Sequence, residues 1–235
     1  MTIDLFVNWK DITDLRDRTF EILDACGAKR AIVMAQPALN KPSLRDKVRS
    51  FAIECHQRSL AVSLCTGPAV IEYAAPLEMR DRLAALCTEV RATPMLDAEP
   101  VHVGRPNEQR WSPERIAPWL TIPELQITTT RMEAPRIGAH GRVTYAQLEG
   151  QASTATLDHA LRTFERYTPI ERVVPVLGSF DSPDGDKRTI DEVRTDLERC
   201  TAQARTCGRL AMFVAQTTSL AEAQLIREWA ERAWP

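Results

Sequence analysis

Along this chain, short runs rich in apolar and β-branched residues alternate with longer stretches in which apolar positions recur every three or four residues. The first kind of run suits a strand, the second a helix with one face laid against a sheet. The pattern predicts strands at Ile3–Asn8, Arg30–Gln36, Ala61–Cys65, Thr93–Glu99, Leu125–Thr130, Val143–Glu149, Arg172–Leu177 and Leu210–Gln216. Between them, Leu15, Thr19, Ile22 and Cys26 share one helical face, and so do Leu44, Val48, Phe51 and Cys55. The spacing repeats in Met79, Leu83, Leu86 and Val90, in Leu157, Leu161 and Phe164, and in Ile190, Val193, Leu197, Cys200 and Ala204. Start signals agree: Ser112 stands before Pro113 at a first helical position, while Thr189 with Glu192 and Ser219 with Glu222 are capping boxes. Only the fourth and fifth connections are irregular.

Eight such strand–helix units in 235 residues predict a single domain, residues 1–235, folded as a (β/α)8 TIM barrel, ahead of an open doubly wound sheet. An open sheet that binds a dinucleotide needs a glycine-rich turn after its first strand. That turn is here Asn8-Trp9-Lys10-Asp11, and the chain has neither G-x-G-x-x-G nor a P-loop.

Composition narrows the function classes. With 44% hydrophobic and 26% charged residues the chain has the balance of a domain with a substantial core. A net charge of −2 with no Lys/Arg run argues against nucleic acid as a partner. No stretch reaches the ~20 apolar residues of a membrane span, and the N-terminus enters a strand without a basic leader, so the expected location on synthesis is the cytoplasm. Six cysteines without a C-x-x-C pair read as small core residues in a reducing compartment. Four histidines with no H-x-H or H-E-x-x-H predict no metal site, and no cofactor motif is present. A nucleophilic serine is equally unsupported, because G-x-S-x-G is absent.

The chemistry concentrates where a barrel keeps its active site, at the C-terminal ends of the strands. Strand four ends Met95-Leu96-Asp97-Ala98-Glu99-Pro100, and alternation puts Asp97 and Glu99 on one face. Two neighbouring carboxylates repel, and one of them then tends to keep its proton, the state a general acid needs. Alternation also turns Asp4 and Asn8 of strand one, Thr128 of strand five, and Tyr145 and Gln147 of strand six inward, while strands two and eight end at Gln36 and Gln216. Amides, hydroxyls, an aromatic ring and a few acids suit a polyol rather than a phosphate. Trp111, at the close of the long connection after strand four, is a candidate wall of a substrate groove.

Ile3-Asp4-Leu5 together with Met95-Leu96-Asp97-Ala98-Glu99-Pro100 resembles the glycoside-hydrolase barrels that cleave N-acetylated glycans. The resemblance is above all to the family 25 lysozymes and their phage-borne relatives, and more distantly to the family 18 chitinases, which share the strand-four D-x-E. It implies that Glu99 protonates the glycosidic oxygen and that Asp97 holds the 2-acetamido group or stabilises positive charge. Asp4 becomes the strand-one acid, and Tyr145 and Gln147 line the sugar site. The implied activity is hydrolysis of β-1,4 links in peptidoglycan or a related glycan, acting on the cell wall after release or within a phage-tail or injection-type assembly. A non-catalytic barrel with a carbohydrate-binding or structural role is the alternative.

Overall fold

Eight strands close into one barrel, each paired in parallel with the next in the chain and the last with the first. The computed structural model describes residues 2–67, 76–98, 111–130, 133–138, 140–147, 154–178 and 188–234. The strands are β1 (Thr2–Val7), β2 (Arg30–Met34), β3 (Ala61–Thr66), β4 (Thr93–Ala98), β5 (Gln126–Thr130), β6 (Thr144–Gln147), β7 (Val173–Gly178) and β8 (Arg209–Phe213). All eight match the expected runs to within a few residues. The largest differences are at the C-terminal ends of β2 and β8, where the chain leaves the sheet before Gln36 and Gln216.

The helices α1 (Trp9–Thr13), α2 (Arg16–Ala25), α3 (Gln36–Asn40), α4 (Arg45–Gln57), α5 (Pro76–Val90), α6 (Pro113–Ile116), α7 (Ala134–Ile137), α8 (Thr154–Glu165), α9 (Ile190–Cys207) and α10 (Leu220–Ala233) surround it. Their starts follow the sequence signals. Ser112 Oγ accepts the Arg115 amide at 3.3 Å, and the Thr189/Glu192 and Ser219/Glu222 boxes both form. Among the described residues, the α-helices after β4 and β5 are the four-residue α6 and α7, the physical form of the two irregular connections. Among the described residues no helix is long and apolar enough to cross a membrane.

Alternation along the strands creates two cores. Leu5, Val7, Val33, Leu64, Leu96 and Ile127 face outward and pack with the helices. Phe6, Ile32, Cys65, Met95, Tyr145, Val174, Val176 and Ala211 fill the barrel itself, as expected of a barrel whose interior is packed rather than hollow.

All six cysteines are free, with Cys26, Cys55, Cys65, Cys87 and Cys200 buried and Cys207 partly exposed. Burial pushes the Cys26, Cys55 and Cys87 thiols up to about 12, which suppresses the reactive thiolate. Alkylation of the native protein is therefore expected to reach Cys207 first and the other five only on unfolding. Mass measurement after denaturation should count six labels; a disulfide found instead would refute the packing.

Candidate functional site at the barrel mouth

Strand register fixes the height of each inward side chain. In a tilted closed barrel the inward residues form levels of four, drawn alternately from even and odd strands. From the pairings, the level nearest the N-terminal end is Arg30, Thr93, Val143 and Arg209, followed by Asp4, Ser63, Gln126 and Val174. Next come Ile32, Met95, Tyr145 and Ala211, then Phe6, Cys65, Thr128 and Val176. The mouth level is Met34, Asp97, Gln147 and Phe213, and the positions of Asn8, Gly67, Thr130 and Gly178 lie above it.

This order separates acids that alternation alone cannot distinguish. Asp4 lies three levels below Asp97, roughly 8 Å at ~3.3 Å rise and ~36° tilt. It belongs to a polar floor: Arg30 Nη1 donates to Ser63 Oγ at 2.8 Å and to Thr93 Oγ1 at 3.2 Å, and Ser63 Oγ donates to Gln126 Oε1 at 3.3 Å. Tyr145, expected to line a sugar site, points its hydroxyl down and donates to Asp4 Oδ2 at 2.6 Å; both residues are 0% exposed. Asp4, expected as the strand-one acid, and Tyr145, expected to line the sugar site, thus bond to each other below the level of Asp97. The phenol points to the Asp4 carboxylate, and the apolar side chains of Phe6 and Cys65 occupy the level between that pair and the mouth.

Burial raises the Asp4 carboxyl above its ordinary value, against the opposing pulls of Tyr145, Arg30 and Arg209. The folded protein therefore holds this proton more tightly than the unfolded chain does. The resulting contribution to stability is complete below the ordinary value of 3.8 and is lost as pH rises through the folded value. Asp4→Asn keeps an acceptor for Tyr145 and removes the titration. Urea unfolding at stepped pH is expected to show the wild type losing stability upward from this window more steeply than the variant; parallel curves would refute it.

At the mouth, Asp97 is 6% exposed and stands beside Thr128 in register. Gln147 Nε2 donates to Thr128 Oγ1 at 3.1 Å. Across the barrel, Phe213 packs edge-on to Phe6 at 5.3 Å between ring centroids, next to Met34. The mouth thus has a polar wall from β4 to β6 and an apolar wall from β8 to β2. Such a pair of walls suits a sugar ring, with its C–H face on one side and its hydroxyls on the other.

The remaining expected residues divide. Asn8 caps α1, its backbone amide donating to Asp11 Oδ2 at 2.7 Å. The Gln216 amide also pulls on this carboxyl, but burial wins and raises it. Asp11, 1% exposed, so holds the ends of β1 and β8 side by side, bringing Asn8 and Gln216 together at the rim. Gln36 opens α3 and is half-buried. Trp111 does not wall a groove: it is 4% exposed and packs in the outer core, because an indole beside an apolar helix layer gains more from burial than from display. Glu99 lies outside the described residues.

Sequence reasoning missed Gly67, Met34, Phe213 and Asp11. The first three needed the register as well as the alternation; the last was readable as an Asn8-x-x-Asp11 helix start. Among the described residues no cluster of His, Cys, Asp and Glu could hold a metal.

No family model and no curated protein matches the chain. Solved structures do. Active domain 2 of a thermostable chitinase from Pyrococcus furiosus superposes with a TM-score of 0.67 at 11% identity, covering 100% of this chain and 96% of that one. A GH18 chitinase from Pseudoalteromonas aurantia gives 0.66 at 8% identity, covering 98% and 99%. The spore cortex-lytic enzyme of Bacillus megaterium gives 0.62 at 8% identity, covering 97% and 73%. At such identities the likeness establishes the (β/α)8 barrel and nothing finer. Two of these three neighbours are chitinases, the second family of the resemblance, and none of the three is described as a family 25 lysozyme.

Proposed function

We propose that this barrel is a glycoside hydrolase acting on an N-acetylated glycan of the chitin or peptidoglycan type. The observation that carries the reading is Asp97, buried at the C-terminal end of β4 in a mouth of neutral amides and hydroxyls, with Glu99 two positions further along. The names of the structural neighbours, chitinases and a cortex-lytic enzyme, support the substrate class.

In this reading Glu99 gives its proton to the glycosidic oxygen as the C–O bond breaks. The acetamido oxygen of the substrate attacks the anomeric carbon, closing a ring whose positive charge Asp97 stabilises. Water then opens that ring, with the Glu99 carboxylate taking its proton. Thr128 and Gln147 orient the sugar through its polar edge, while Phe213 and Met34 exclude water from its face.

One feature favours a second reading. Among the described residues, the two levels beneath Asp97 hold Phe6, Cys65, Thr128 and Val176, then Ile32, Met95, Tyr145 and Ala211, and no acid, which suits a barrel that binds glycan without cleaving it. A reducing-sugar assay on chitin oligomers, run beside turbidity clearing of purified peptidoglycan, separates the two. Release of new reducing ends is expected; binding with no release moves the assignment to the non-catalytic barrel.

A further inference from the structure

We propose that Gly67, directly after β3, is a positioning residue for Asp97, a proposal that rests on the site reading above. Gly67 follows Thr66, which pairs with Leu96, so it stands beside Asp97 on the neighbouring strand. A Cβ at this position would lie 3.2 Å from Asp97 Oδ2, 3.7 Å from its Cβ and 3.8 Å from its Cγ, and these are its three nearest atoms. Among the described residues, its two chain neighbours aside, a methyl group at Gly67 meets the carboxylate of Asp97 first.

The backbone does not ask for glycine here. Gly27, Gly138, Gly141 and Gly208 have positive φ angles of 67°, 75°, 65° and 69°, where other residues are strained. Gly67 is not among them, so its φ does not call for glycine. A glycine at the end of a buried strand also forgoes side-chain packing. Its distinctive physical effect is clearance, which lets the Asp97 carboxylate lie against β3 instead of being pushed across the mouth toward Thr128.

A shift of a few tenths of an ångström in a working carboxylate matters to turnover much more than to substrate affinity, since misplacement by ~1 Å can cost ~10²-fold in rate. The test measures kcat, KM and Tm on a soluble chitin oligosaccharide for the wild type, Gly67→Ala, Asp97→Asn and the double variant. Gly67→Ala is expected to lower kcat about tenfold, with KM and Tm close to wild type. In the Asp97→Asn background the same change should add little, because the two act through one group. A folded Gly67→Ala protein with wild-type kcat overturns the proposal, and so does an equal loss in both backgrounds.

If Gly67→Ala fails to fold, Asp97→Ala must restore it, since the methyl then has room; continued failure also overturns the proposal. If the wild type releases no reducing ends, the hydrolase reading falls. Gly67 is then judged by oligosaccharide Kd across the same four proteins, where additive effects overturn its role.

Discussion

Glu99→Gln is expected to lower turnover by ~10²–10⁴ while leaving oligosaccharide binding in place. The substitution keeps the size of the side chain and its hydrogen-bonding reach, but a carboxamide has no proton to deliver to the leaving oxygen. The loss should fall on kcat and leave KM nearly unchanged, because the proton moves only as the bond breaks. Aryl glycosides sharpen the test. A leaving group that departs without protonation bypasses the acid, so the deficit should shrink with activated substrates in the bond-breaking step. A Glu99→Gln protein that releases reducing ends at the wild-type rate removes Glu99 from the mechanism. Asp97→Asn should also lose rate, but activated leaving groups are not expected to rescue it, since its charge supports the sugar and not the departing oxygen.

The fold was legible because two periodicities carry it. Alternation in Ile3–Val7 and the i, i+3, i+4 spacing in Val48, Phe51 and Cys55 each report a local environment, and the capping residues Ser112, Thr189 and Ser219 mark local hydrogen bonds. Facing direction in the barrel was legible for the same reason: Asp4, Phe6, Asp97, Thr128, Tyr145 and Gln147 all point inward as alternation requires. Height was not. Whether Asp4 lies at the floor or the mouth depends on how β1 pairs with β2 and β8, and register between strands far apart in sequence leaves no local trace. The same gap hid Gly67, whose role exists only because β3 sets it against Asp97. Trp111 was misjudged for a different reason: a loop position in the sequence says nothing about which layer receives the ring.

The largest loss of stability is expected from breaking the buried ion pair that ties α9 to the rim. Arg188 Nη2 lies 2.5 Å from Asp196 Oδ2, and the two side chains are 7% and 5% exposed. A second guanidinium nitrogen, Nη1, donates to the carbonyl of Gly178 at 3.4 Å, so the pair joins the end of β7, at mouth height, to the second turn of α9. Asp196→Ala removes this buried counter-ion from Arg188, at a cost of about 3–5 kcal/mol. For a protein stabilised by ~5–15 kcal/mol that is a large share, and at ~2–4 °C per kcal/mol Tm should fall by roughly 10 °C. Replacing both partners tests the cause. Arg188→Met with Asp196→Leu removes the charge as well as its counter-ion, so most of the lost Tm should return even though the ion pair is gone. Calorimetry on the three proteins settles the matter: an Asp196→Ala protein melting with the wild type would show that the pair holds nothing, and a double variant no better than the single would place the loss in the packing of α9 instead of in the broken ion pair.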